Sequence, residues 1–173
     1  VFDYISYIKQ LTSENVLCQK EGFQFCTCSG VNYLEELLRR YQRWSSFVAV
    51  SDVCDETTGQ RGGGWTRRRL FTTFILRRFK YGDMTSQRAA RDLCREVYRQ
   101  FQSRLLFDED KHNNRMLFLN FEDIRSQELG GEFINGCTGL YFMLTMDEPT
   151  DISYNAAEWD AGTSPATFDA TFC

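Results

Sequence analysis

The chain has 173 residues, 42% hydrophobic and 15% aromatic, with a formal net charge of −4 at pH 7. That length suits one domain with a sizeable core, since a chain of this size buries roughly 70% of the surface it exposes when unfolded. No run approaches the roughly 18 to 20 apolar residues of a membrane-spanning helix. The opening VFDYISYIKQL is too short and too polar for a signal peptide, and with prolines only at Pro149 and Pro165 the body reads as ordered to about Tyr154.

In chain order, Phe2, Ile5, Ile8 and Leu11 recur at helical spacing and predict a helix over about 1–12. Phe23, Phe25 and Thr27 alternate with polar residues, a short strand that Ser29-Gly30 ends. Asn32 is placed to cap a helix over about 32–42, with Glu35 completing a capping box and Leu34, Leu37, Leu38 and Tyr41 on one face. The period then changes: 44–53 is β-branched and aromatic, a strand. The loop DETTGQRGGG follows, and then the extended run WTRRRLFTTFILRRFKY. Two extended runs joined by a glycine-rich connection predict a long β-hairpin with a mobile tip.

Asp83 or Thr85 starts the longest helix, about 84–106, with an apolar stripe from Ala90 to Leu105 and Arg88, Arg91, Arg95 and Arg99 on its other face. After DEDKHNN, residues 116–124 predict a strand, Gly130-Gly131 a turn, and 132–146 a strand bent at Gly136 or Gly139. The expected fold is α+β: a mostly antiparallel sheet with helices packed on one side, the domain covering 1–154 and an extended acidic C-terminal arm 155–173.

Charge is segregated along this order. From Arg61 to Arg104 there are 12 Lys/Arg against 3 Asp/Glu, leaving 8 and 21 elsewhere. After Met146 there are six acids (Asp147, Glu148, Asp151, Glu158, Asp160 and Asp169) and no base. Segregation of this kind predicts a face built to meet a second copy, another acidic protein or nucleic acid.

Catalytic and metal motifs are missing. The seven cysteines are odd in number and scattered, reading as reduced thiols in a cytosolic setting. Cys26-Thr-Cys28 lacks zinc-knuckle spacing; on a strand the two share a face as small core residues. The single histidine, His112, lies in a polar loop, and no GxSxG occurs, so no triad can be assembled. Gly62-Gly63-Gly64 beside Arg61, Arg67, Arg68 and Arg69 resembles a phosphate cradle but leads into a strand and lacks the Lys-Ser/Thr of a P-loop. A hairpin tip, or a hairpin reaching a neighbouring subunit, accounts for it better. The expectation is a non-enzyme without cofactor or metal.

The layout has a counterpart. The first helix, the strand-helix FQFCTCSGVNYLEELLRRY, the hairpin RRRLFTTFILRRFKYGDM, the amphipathic helix and the closing GLYFMLTMDEP together resemble the tail-terminator and head–tail neck proteins of tailed bacteriophages, over about residues 1–155. The resemblance implies a structural virion protein that assembles in the host cytoplasm into a hexameric ring. It would meet the tail tube and connector proteins, with DNA passing through its pore and no membrane involved. On that reading Trp65, Arg67, Arg68, Arg69, Arg88, Arg91 and Arg95 supply one interface. Asp147, Glu148, Asp151, Trp159 and Asp160 supply the other, with Phe168 as a further aromatic anchor. The competing reading is a nucleic-acid-binding accessory protein that uses the Arg-rich hairpin and helix.

Overall fold

A 15-residue strand, Gly64–Arg78, is the spine on which the other strands assemble. The computed structural model describes residues 2–110, 118–133 and 136–159. Its elements are α1 (Tyr4–Glu14), α2 (Val16–Lys20), β1 (Phe23–Cys28), α3 (Gly30–Arg40), β2 (Ser46–Ser51), β3 (Asp55–Arg61), β4 (the spine), α4 (Met84–Asp110), β5 (Leu119–Phe133) and β6 (Cys137–Pro149). The sheet order is β1-β2-β4-β6-β5, with β3 pairing β4 beyond the end of β2. β1 and β2 are parallel, joined through α3, and every other pairing is antiparallel. The fold is therefore α+β on a mixed sheet.

Alternation along the strands gives the sheet two apolar faces. Val48 and Val50, Phe71 and Ile75, and Leu140, Phe142 and Leu144 meet Tyr4, Ile8 and Leu11 of α1, Cys18 of α2, and Cys94, Val97, Phe101 and Leu105 of α4. The opposite set, Cys26, Cys28, Phe47, Ala49, Phe74 and Leu76, meets Leu34 and Leu38 of α3. The expected packing of all helices on one side is thus corrected. A parallel β-α-β connection must carry its helix across a face, and α3 takes the face that α1 and α4 leave open. Tyr4 marks how tightly the larger core is fixed: its ring stacks on Phe71 at 4.7 Å and its hydroxyl shares a 2.8 Å hydrogen bond with Thr73 Oγ1.

Local signals set most element starts. Asp3 caps α1, accepting from the Ser6 amide at 3.0 Å. Asp83 accepts from the Thr85 and Ser86 amides and fixes the start of α4. α3 begins two residues earlier than predicted, so Asn32 lies inside its first turn rather than at its cap.

Two expectations about the sheet change. Residues 55–61, read as a loop, form β3, and the hairpin closes in two residues, Gly62 (φ 57°) and Gly63 (φ 85°). Two successive positive φ angles define the turn whose twist matches a hairpin, and glycine adopts both without steric cost. The glycine run thus serves the turn. The predicted turn at Gly130-Gly131 lies inside β5, where register shifts between Asn120 and Arg125 and between Leu129 and Phe133 absorb the additional residues. His112 lies outside the described residues.

Candidate assembly surface

The predicted basic and acidic patches fall on neighbouring strands. β4 and β6 run antiparallel with Arg67 opposite Glu148 and Arg68 opposite Asp147. Arg68 holds Asp147 in a bidentate pair, Nε to Oδ1 at 2.6 Å and Nη2 to Oδ2 at 2.7 Å. Arg61, at the hairpin tip, adds a longer contact to the same carboxylate at 3.7 Å. On the other face of the ribbon Glu148 is only 6% exposed. It accepts from Arg69 and lies 3.8 Å from Arg67, whose Nε in turn faces Glu56 of β3 at 4.0 Å.

Charge that is segregated in sequence is therefore largely cancelled in space. Hydrogen bonding from Arg68 holds the Asp147 carboxyl below the usual range against the opposing effect of its partial burial. One stretch of ribbon, rather than two separate mating faces, contains Arg67, Arg68, Arg69, Asp147 and Glu148. Trp65 stands at its outer end, partly exposed, with its carbonyl accepting from the Thr150 amide at 2.9 Å.

The helix α4 repeats the pattern. Arg95 is bidentate to Glu128 of β5 at 2.6 and 2.7 Å and also reaches Asp92. This pairing lowers the Glu128 pKa. Arg99 pairs with Glu96, whose pKa drops to about 2 for the same reason. Arg91 adds a smaller favourable charge beside Glu128, although its own Nε is buried without a hydrogen-bond partner. Arg88 is exposed and makes no ion pair among the described residues.

Beyond β6 every described residue from 151 to 159 is exposed. Asp151 accepts from the Ser153 amide at 2.9 Å and stays ionised and exposed. Ile152, Tyr154 and Trp159 are 50, 72 and 58% exposed, and the Tyr154 and Trp159 rings stack on each other at 6.3 Å. Asp160 and Phe168 lie outside the described residues.

No family model matches this chain, and no curated protein matches it either.

One cleft brings a serine, an aspartate and a thiol together. A cleft of about 470 Å³ opens where β1 ends and α3 begins, lined by Cys28, Ser29, Tyr33, Glu36, Arg40 and Asp52 among others. Ser29 Oγ donates to Asp52 at 3.1 Å, but no histidine joins them there, and burial pushes the Cys28 thiol up to about 11. A thiol so raised is protonated at neutral pH and is a poor nucleophile. Among the described residues no cluster of three or more His, Cys, Asp or Glu could hold a metal. No helix among the described residues is long and apolar enough to cross a membrane.

Sequence reasoning missed Glu56, Glu128 and the ladder that delivers Glu148 to two arginines. Their signal was present as charge opposite in sign to Arg67–Arg69 and Arg95, but pairing them required the strand register.

Proposed function

We propose that this chain is a structural protein that works by assembly, as a ring component at the tail–neck junction of a tailed bacteriophage. The observation that carries the assembly reading is the segment 151–159. Nine consecutive exposed residues include three large apolar side chains, one of them a tryptophan, that no other described residue covers. Exposed aromatics of this type are the residues in which interface energy concentrates. The specific place in a phage particle rests on the layout resemblance. A closed ring needs a heterologous interface in which two different patches of one chain meet.

The nucleic-acid reading is disfavoured by the same guanidinium pairs. Arg67, Arg68, Arg69 and Arg95 already face carboxylates, so phosphate contacts would have to displace partners held at 2.6–2.7 Å for Arg68 and Arg95.

The test is native mass by light scattering after size exclusion, at low and high salt, with a parallel titration of duplex DNA. A discrete species of about six copies that does not retain DNA is the expected result. A single chain at every concentration and salt that nevertheless retains DNA through Arg67 and Arg68 would overturn the assembly reading.

A further inference from the structure

The corner between β4 and α4 offers what the exposed segment lacks. Tyr81 is 79% exposed and Met84 67% exposed, flanked by Lys80 and Arg88, which are also exposed. Met84 and Arg88 stand four residues apart on one face of α4. Neither Lys80 nor Arg88 makes an ion pair among the described residues, in contrast to the arginines of the hairpin. The nearby Asp83 is engaged by the Thr85 and Ser86 amides as the helix cap. The corner therefore carries two exposed cations without ion pairs among the described residues, against the one carboxylate of Asp83, beside two exposed apolar side chains. The segment 151–159 is apolar and anionic: Ile152, Tyr154 and Trp159 with Asp151 and Glu158, and no base.

The two features lie at opposite ends of the spine. Pro149, at the root of the segment, is in register with Thr66, whereas the corner follows Arg78. Twelve strand steps separate those positions, about 40 Å. The ten steps from Pro149 to Trp159 would reach at most about 35 Å if fully extended. They are not extended: the Asp151 side chain closes a turn on Ser153, and Ala156–Glu158 is a 3-10 turn. In this conformation Trp159 cannot lie on the Tyr81–Met84 corner of its own chain.

We infer that the segment 151–159 of one copy docks on the Lys80–Tyr81–Met84–Arg88 corner of a second copy, joining the chains head to tail. This inference rests on the assembly reading and names its contact. It moves the cationic side of the interface from the hairpin arginines, which are paired within the chain, to a corner that is not. A head-to-tail contact leaves one segment and one corner unsatisfied in every open oligomer, so it grows until the rotation between copies closes a ring and otherwise extends as a filament.

The test uses two variants of the full chain, Tyr154→Ala/Trp159→Ala and Met84→Glu/Arg88→Glu. All the changed side chains are exposed, and circular dichroism with a melting curve confirms that both variants keep the native fold. Each variant alone is expected to run as a single chain of 20.3 kDa in light scattering. An equimolar mixture retains one intact segment and one intact corner, and is expected to form a dimer of about twice that mass. Wild-type oligomers with variants that assemble as well as wild type would overturn the docking inference and leave the assembly reading standing. So would a mixture that remains monomeric. A wild-type chain that never assembles would overturn both.

Discussion

Arg68 and Asp147, 79 positions apart in sequence, face each other across the β4–β6 ladder in a bidentate pair at 2.6 and 2.7 Å. The residue beside each makes a second pair on the opposite face, Arg69 with Glu148. The ribbon is thus pinned electrostatically on both sides at the point where it extends past β2.

These two pairs differ in worth. Arg68 and Asp147 are 41 and 28% exposed at their side chains, so Asp147→Ala is expected to cost about 1 kcal/mol, the upper end for a well-formed surface pair. Glu148 is buried between two arginines, and its removal leaves cationic charge without compensation. Glu148→Ala is expected to cost about 2–3 kcal/mol, below the full penalty for breaking a buried pair because Arg67 remains partly hydrated. Urea denaturation of the two variants measures the order; equal losses would contradict it.

Asp147 and Glu128 set an acid limb. Asp147 and Glu128 titrate below their ordinary values of 3.8 and 4.5, each because an arginine hydrogen-bonds the ionised form. A depressed folded-state pKa stabilises the fold above the unfolded value, and that contribution is lost as pH falls through the folded value. Melting temperature is expected to fall between about pH 5 and pH 3. The Asp147→Asn/Glu128→Gln variant should start lower and fall less steeply over that range. Parallel curves for variant and wild type would assign the acid limb to other groups.

Among the described glycines, only Gly139 has backbone in the space an added Cβ would take. Its φ is 152°, and a Cβ there would lie 2.0 Å from the Ile75 carbonyl oxygen of β4. Because the obstacle is backbone in a central ladder, it cannot move aside cheaply. Gly139→Ala is expected to cost more than about 3 kcal/mol, read as loss of soluble expression or a large drop in denaturation midpoint. By contrast, Gly59→Ala on β3, where an added Cβ meets nothing within 4 Å, should be nearly neutral.

Thiol chemistry should follow burial. Burial pushes Cys18, Cys26 and Cys94 up to about 12 and Cys28 to about 11, while Cys54 is half-buried. Brief alkylation of the native protein at neutral pH, mapped by peptide mass spectrometry, is expected to label Cys54 well ahead of those four. Unfolding in urea should make all of them equally reactive. Fast native labelling of Cys26 or Cys28 would mean that α3 leaves its face.

What could be read without the structure follows from physics local to each segment. The amphipathic stripe Ala90–Leu105 forecast α4, whose observed start is capped by Asp83, and the Cys26/Cys28 alternation correctly placed both thiols on one sheet face. β3 was not legible because all of its residues but Gly59 are exposed, so it carries no hydrophobic alternation to separate strand from loop. The length of β5 was hidden for a related reason: its bulges break the period of two that a strand reading depends on.

The sequence by itself determined the long helices and the strands with a buried face, and how much charge of each sign the chain carries. Only the tertiary structure decided where that charge goes. Strand register placed Asp147 and Glu148 against Arg67, Arg68 and Arg69, turning an apparent pair of mating patches into one self-neutralised ribbon. Register is a long-range choice made by burying β4 between β2 and β6, and no local period encodes it. The same choice left Lys80 and Arg88 at one end of the spine and the segment 151–159 at the other, all of them exposed among the described residues.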